Sequence, residues 1–74
     1  QIFPNPSNGV FFLSQEANTT SEVTVFDIFG KKIIALDFKT ETEKFDLSHL
    51  SNGVYFLTIE NENGFKTEKI SISK

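Results

Sequence analysis

The chain has 74 residues and a formal net charge of −3, and all seven of its cationic side chains are lysines. This length allows one small hydrophobic core, and the absence of arginine argues against recognition of phosphate or nucleic acid. The absence of cysteine excludes disulfides and thiolate-bound metals. Because there is also no methionine and the chain begins with Gln1, we expect residues 1–74 to be one domain cut from a longer protein.

The apolar residues recur with a period of two, in short runs between Gly, Asn, Ser and Pro, which predicts an all-β chain. The first strand is expected to end at Pro4-Asn5-Pro6, because a proline donates no N–H to a ladder. The predicted strands are 2–3, 10–13, 22–28, 32–38, a short edge strand around 45, 54–60 and 65–73. Seven such strands with frequent turn signals are typical of a small two-sheet sandwich.

The turns between these strands carry their own signals. Asp27 to Lys31 predicts a tight hairpin in which Gly30 adopts positive φ and the Asp27 side chain bonds the turn backbone. Residues 61–64, Asn-Glu-Asn-Gly, predict a second hairpin and lack the ligand spacing of a calcium loop. Between the two hairpins, Asp46 is expected to cap one helical turn over 47–50.

Two segments are nearly identical, Ser-Asn-Gly-Val-Phe-Phe-Leu at 7–13 and Ser-Asn-Gly-Val-Tyr-Phe-Leu at 51–57. We interpret them as one turn-into-strand solution used twice, with an apolar run for a strand covered on both faces. Tyr55 stands at the start of a late strand, right after a predicted crossover. This position favours a tyrosine corner of a Greek-key sandwich, in which the hydroxyl bonds the backbone upstream, over a ligand-binding ring.

No set of residues has the spacing of an active site. The one imidazole, His49, lies beside Ser48 and Asp46, but neighbours on one turn rarely converge as a triad, so we favour an exposed or capping role for it. The paired carboxylates at 41, 43, 60 and 62 lie in polar stretches and are expected to be solvated. We therefore predict no catalytic residue, no cofactor, no metal site and no enzymatic activity.

Nine phenylalanines and one tyrosine make the chain rich in rings, and we expect most of them in the core. A carbohydrate-binding or adhesive module is an alternative that requires exposed rings, for which Phe11, Phe29 and Phe65 are the candidates. A structural spacer without a partner is a further alternative.

Four features together resemble one family. They are Pro4-Asn5-Pro6-Ser7-x-Gly9, Asp27-x-x-Gly30-Lys31, Leu50-x-x-Gly53-x-Tyr55-Phe56-Leu57 and a lysine-containing final strand. In this order and spacing they resemble the type A C-terminal sorting domain of the type IX secretion system of Bacteroidetes-type bacteria. The resemblance covers essentially the whole chain and implies an immunoglobulin-like sandwich at the end of a secreted protein.

The resemblance also implies a role. Such a domain is read in the periplasm by an outer-membrane translocon, the upstream cargo domain is secreted or reaches the cell surface, and a sortase-like peptidase then cleaves the linker upstream. The implied recognition residues are Pro4, Asn5, Pro6, Gly9, Asp27, Gly30, Gly53, Tyr55, Lys69, Ile70, Ser71, Ile72, Ser73 and Lys74. We expect the last strand, 66–74, to lie at a sheet edge and to offer unpaired backbone groups to a partner strand, and deletion of 70–74 to abolish export. Such an edge is also compatible with a strand-exchanged dimer.

Overall fold

Seven short strands and the turns between them make up the domain in a computed structural model that describes residues 2–4 and 7–74. The strands are β1 Ile2–Phe3, β2 Val10–Ser14, β3 Ser21–Phe26, β4 Lys32–Phe38, β5 Thr42–Asp46, β6 Gly53–Asn61 and β7 Gly64–Ile72. Each predicted strand is present. β3 ends two residues before its predicted end because Asp27 already belongs to the turn, and β5 extends well beyond Phe45.

The prediction of a helical turn over 47–50 is wrong, because these residues form an isolated turn. A single backbone bond closes it, from Leu50 N–H to the Leu47 carbonyl at 3.0 Å, and the part of the chain that the structure describes contains no helix. An aspartate that accepts a hydrogen bond two residues on stabilises an isolated turn as well as a helix start, so the sequence signal fits both.

Two antiparallel sheets face each other. One has the strand order β1-β2-β5 and the other β4-β3-β6-β7. The chain changes sheet between β2 and β3, between β4 and β5 and between β5 and β6, so sequence neighbours are split between layers as in a Greek key. The small seven-stranded, immunoglobulin-like all-β sandwich is therefore confirmed.

The similar segments 7–13 and 51–57 lead into corresponding strands. β2 has a partner on both sides in its sheet, and so does β6. Each segment supplies an inner strand, but the expectation that these strands are covered on both faces is wrong, because only one face of each sheet meets the other sheet and Phe12 and Phe56 stay half-buried.

The core lies between the two sheets, because alternate residues of each strand point inward. Its buried apolar side chains are Phe11, Leu13, Val23, Val25, Phe38, Phe45, Leu47, Leu57, Ile70 and Ile72. The rings of Phe38 and Phe45, one from each sheet, pack with centroids 6.2 Å apart.

The expectation that most rings lie in this core is wrong. Only three phenylalanines are buried, since adjacent rings such as Phe11 and Phe12 must face opposite sides of a strand. Phe12 is half-buried on the outer side, where it stacks on Phe3 at 5.8 Å between centroids. Phe11, a candidate exposed ring, is fully buried, whereas Phe29 and Phe65 are exposed as predicted.

Candidate functional site

Most of the predicted recognition residues lie at one end of the sandwich. The sheet registers pair Phe26 with Phe56 and Gly53 with Ile72, so the β3–β4 turn, the start of β6 and the finish of β7 share that end. We call the end formed by residues 7–9, 27–32, 46–53 and 69–74 the lysine-bearing end. The opposite end, formed by residues 15–22, 37–43 and 59–66, is the acidic end. Asn5 and Pro6, two further candidates, lie outside the described residues.

The N-terminal segment holds the end of β7 in place. Ser7 N–H donates to the Ser71 carbonyl at 3.0 Å, and Ser73 N–H donates to the Ser7 carbonyl at 2.8 Å, which makes a short parallel bridge. Lys74 is fixed as well, because its backbone N–H donates to Asn52 Oδ1 at 3.1 Å and its ammonium group donates to the Ser48 carbonyl.

β7 is an edge strand, as the sequence predicts. The expectation that its last residues offer open backbone groups is nevertheless wrong at two positions. The Ser71 carbonyl accepts a hydrogen bond from Ser7, and the Ser73 N–H donates one to Ser7. This bridge joins segments that are far apart in the sequence, and no local pattern announces it.

Ile70 and Ile72 have a structural role in this strand. Their side chains are 0% and 2% exposed and belong to the core. Deleting 70–74 would remove both, and the loss of two buried isoleucines is enough to unfold a small domain. That deletion therefore tests folding as much as recognition. Of the recognition candidates in 69–74, the exposed ones are Lys69, Ser73 and Lys74.

Gly9 meets the turn that follows β5. A Cβ atom at this position would lie 2.6 Å from Ser48 Cα, and the backbone φ of +116° is in the region that favours glycine. The Gly9 carbonyl accepts the Leu47 N–H at 2.7 Å. Glycine is needed here for two reasons: the positive φ of the turn, and the close approach of this segment to the turn at Ser48.

Asp46 organises that turn. Its Oδ1 accepts the hydroxyl of Ser48 and, at 3.0 Å, the Ser48 N–H. These two bonds, opposed by desolvation and helped by the weaker effects of the charges of Lys44 and His49, lower the pKa of Asp46. The contribution of this carboxylate to stability is present above the ordinary aspartate pKa and is lost as the pH falls through the lowered value.

His49 is exposed, in agreement with its predicted role. The Ser48 hydroxyl donates to Asp46, so these three neighbours do not form the chain of hydrogen bonds that a triad requires.

Tyr55 forms the predicted tyrosine corner. Its hydroxyl donates to the Ser51 carbonyl at 2.7 Å. Ser51 lies on the crossover from β5 to β6, so the bond fixes the passage of the chain from one sheet to the other.

The β3–β4 turn is held by Asp27, as predicted. Its Oδ1 accepts the N–H groups of Phe29 and Lys31, each at 2.9 Å, and Gly30 adopts a φ of +83°. The tip of this turn exposes two large apolar side chains, Ile28 at 61% and Phe29 at 88%. Ile28 was not among the predicted exposed residues, because the sequence analysis placed it at the end of the strand 22–28, whereas β3 ends at Phe26.

The acidic end is closed by side chains. The Gln15 amide donates to the carbonyls of Thr19, Phe38 and Thr40 at 2.8, 3.2 and 2.8 Å. Ser21 donates to Gln15 Oε1 at 2.6 Å and accepts from Asn61 at 3.0 Å. Sequence reasoning missed this network, since one glutamine in a polar loop gives no signal.

A pocket of about 310 Å³ lies beside the network, with Phe65 at its rim. Over residues 2–4 and 7–74, every buried polar side-chain atom already has a hydrogen-bond partner. The pocket therefore offers no unsatisfied buried group that asks for a ligand.

Charge divides the molecule between its two ends. The lysine-bearing end carries four lysines against two carboxylates, and both carboxylates, Asp27 and Asp46, accept hydrogen bonds within turns. The acidic end carries seven carboxylates against two lysines. The domain is thus polarised along its strands, although its net charge is only −3.

The described residues contain neither a metal-binding cluster nor a membrane-spanning helix. Among the described residues, no three acidic or histidine side chains come close enough together to hold a metal ion. That same part of the chain has no helix of the length and apolarity needed to cross a membrane.

An immunoglobulin-like sandwich whose motif residues gather around its final strand has the architecture of a small recognition module. Comparison with protein families specifies which one: the model of the secretion system C-terminal sorting domain matches residues 1–73. The chain therefore belongs to that family, the C-terminal sorting domains of type IX secretion. Its function is that of a C-terminal secretion signal, which implies an upstream cargo domain and export to the cell surface or the medium. No curated protein matched the sequence.

Neither the structure nor the comparisons support the carbohydrate-binding alternative. Of its three candidate rings, Phe11 is buried, and the exposed Phe29, in a turn, and Phe65, at the start of β7, lie at opposite ends of one sheet.

Proposed function

We propose that the type IX machinery reads the folded domain at its lysine-bearing end. The reading takes place in the periplasm, the partner is the outer-membrane translocon, and a sortase-like peptidase afterwards cleaves the linker upstream of the domain. The observation that carries the proposal is the convergence of the motif residues on this one end.

Chain direction supports the choice of end. β1 is antiparallel to β2, with Ile2 opposite Leu13 and Phe3 opposite Phe12, so β1 runs towards the lysine-bearing end. A polypeptide that precedes β1 arrives from the acidic side. The cargo therefore stands off the acidic end, and the lysine-bearing end faces away from it.

The charge distribution supports the same end. Four lysines against two carboxylates give this end a net positive surface, and such a surface steers association with an acidic partner. The acidic end would be repelled by that partner, which orients the domain as it docks.

The motif residues divide into two roles under this proposal. Gly9, Asp27, Gly30, Gly53 and Tyr55 shape the end through turns and close contacts. The side chains of Lys69, Ser73 and Lys74 form part of the surface that the translocon touches. Pro4, Asn5 and Pro6 remain recognition candidates from the family motif, and Ile70 and Ile72 hold the strand in the core.

The test compares matched charge reversals at the two ends. One variant carries Lys69→Glu and Lys74→Glu, and its control carries Lys39→Glu and Lys66→Glu. All four lysines are exposed, and both variants change the net charge by the same amount. Each is fused to a reporter with a signal peptide and the native upstream linker and is expressed in a type IX strain and in its translocon knockout.

Reversal at the lysine-bearing end is expected to lower the exported reporter at least about tenfold, because like charges facing each other cost several kcal/mol. The control is expected to stay within about twofold of the unaltered domain, since exposed charges contribute little even where, like Lys66 with Glu68 at 3.3 Å, they form a surface ion pair. Urea unfolding of both proteins checks that they fold equally well. Equal export of the two variants, with both folded, would contradict the proposal.

A further inference from the structure

Among the large hydrophobic residues that the domain exposes, the most exposed one lies at the tip of the β3–β4 hairpin. Phe29 is 88% exposed and its neighbour Ile28 is 61% exposed, compared with 65% for Phe65 and 41% for Phe3. Neither Ile28 nor Phe29 packs against the core. A single exposed apolar side chain is ordinary on a protein surface, but two adjacent ones at a turn tip form a protruding apolar surface.

The turn behind this tip is tightly bonded. Asp27 takes part in four hydrogen bonds: its carboxylate accepts from Phe29 and Lys31, its carbonyl accepts from Gly30, and its N–H donates to Lys31. The exposure of the ring is therefore a property of a defined turn. A turn already held in one conformation loses little backbone conformational freedom when it binds, which favours its use as an anchor.

Positive charge lies on one side of the tip. Lys31 and Lys32 follow the Phe29-Gly30 tip and are both exposed, whereas the Asp27 carboxylate accepts the backbone N–H groups of Phe29 and Lys31. A surface complementary to this tip is an apolar pocket for one ring with carboxylates at its rim. The tip also belongs to the lysine-bearing end, which points away from the cargo.

We propose that Phe29, with Ile28 beside it, inserts into an apolar, carboxylate-rimmed pocket of a protein of the type IX machinery. This inference rests on the proposed function and adds the contact that supplies most of the affinity. Buried aromatic anchors ringed by polar contacts dominate binding at many protein interfaces.

A lipid surface is the other partner that takes an apolar tip next to lysines. Two apolar side chains and two lysines are a small anchor for a membrane, because stable attachment generally takes a larger apolar area or a second signal. The observations therefore favour a protein pocket, which can enclose the ring on all sides.

The chain offers a matched control at the acidic end. Phe65 is also an exposed phenylalanine beside a tight turn, and it lies on the same sheet. Phe29→Ser and Phe65→Ser are compared in the exported reporter, and Phe29→Trp is added as the conservative variant. Neither serine variant removes a core contact, so both are expected to keep the unaltered urea midpoint.

We expect Phe29→Ser to lower export at least about tenfold, as for the loss of an interface anchor, and Phe29→Trp to restore it. Phe65→Ser is expected to export normally. Normal export of a folded Phe29→Ser variant would overturn the inference, and so would an equal loss from Phe65→Ser.

Two further results separate this inference from its alternatives. If the reversal of Lys69 and Lys74 blocks export while Phe29→Ser does not, the anchor is refuted and the proposed function stands. Vesicles of phosphatidylethanolamine and phosphatidylglycerol are also sedimented with the purified unaltered domain and with Phe29→Ser. Sedimentation that depends on Phe29 would assign the tip to a membrane and overturn the protein pocket, whereas no sedimentation supports the pocket.

Discussion

The two ends of this sandwich are closed by different means. At the acidic end, Ser21 donates to Gln15 and accepts from Asn61, and the Gln15 amide donates to three backbone carbonyls. At the lysine-bearing end, backbone groups of Ser7 and Gly9 bond two other segments directly, and turns supply the rest. Backbone contacts tolerate few residue types at a turn, whereas a side-chain network leaves its neighbours free to vary. The motif residues Asp27, Gly30 and Tyr55 hold turns and the crossover at the lysine-bearing end, whereas the network at the acidic end uses residues outside the motifs.

The largest effect on stability is expected from Gly9→Ala at the lysine-bearing end. The added Cβ would lie 2.6 Å from Ser48 Cα and would impose strain at a φ of +116°. Overpacking and backbone strain together should cost about 3 kcal/mol of unfolding free energy, measured by urea denaturation.

Gly30→Asn is the control for this substitution. Its φ is also positive, at +83°, but no atom lies within 4 Å of an added Cβ and asparagine tolerates this region. It should cost less than about 1 kcal/mol. Equal losses from the two variants would show that conformation alone, and not the close approach to the 46–50 turn, accounts for Gly9.

A smaller effect is expected from Gln15→Ala at the acidic end. The change removes the donor for three carbonyls and one partner of the buried Ser21 hydroxyl, which should cost about 2 kcal/mol. Glu16→Ala, an exposed neighbour, should stay within about 0.5 kcal/mol. Export per folded molecule should be unchanged in both, since neither residue lies at the lysine-bearing end; an export defect in a folded Gln15→Ala protein would break the distinction between the ends.

The smallest effect is expected from Tyr55→Phe. The change removes only the hydroxyl that bonds the Ser51 carbonyl, which corresponds to about 1 kcal/mol. The urea concentration at the unfolding midpoint should fall, while the slope of the unfolding free energy against urea concentration stays the same, because the ring still packs on the core. An unchanged midpoint would mean that the tyrosine corner does not stabilise the crossover.

Much of the fold follows from local sequence signals. The period of two, the Asp27–Gly30 turn and the tyrosine after Gly53 each act within a few residues, and each predicted the observed structure. The 46–50 turn was misassigned as helical because the same aspartate signal serves both structures.

What could not be predicted depends on contacts between distant segments. The bridge from Ser7 to β7 and the network of Gln15 arise only when the two sheets meet. Which rings are buried likewise could not be predicted without the strand register, since Phe11 and Phe12 are equally apolar but face opposite sides of β2. The candidate site was therefore predicted as a set of residues, but its gathering at one end was not.

The most direct test of recognition at the lysine-bearing end is site-specific photo-crosslinking during export. A photoreactive residue is placed at Ser73 in one reporter and at Asn63 in another, both exposed positions at opposite ends of the domain. The account predicts crosslinks from Ser73 to a protein of the outer-membrane machinery and none from Asn63. Crosslinks from Asn63 alone, or equally from both positions, would contradict it.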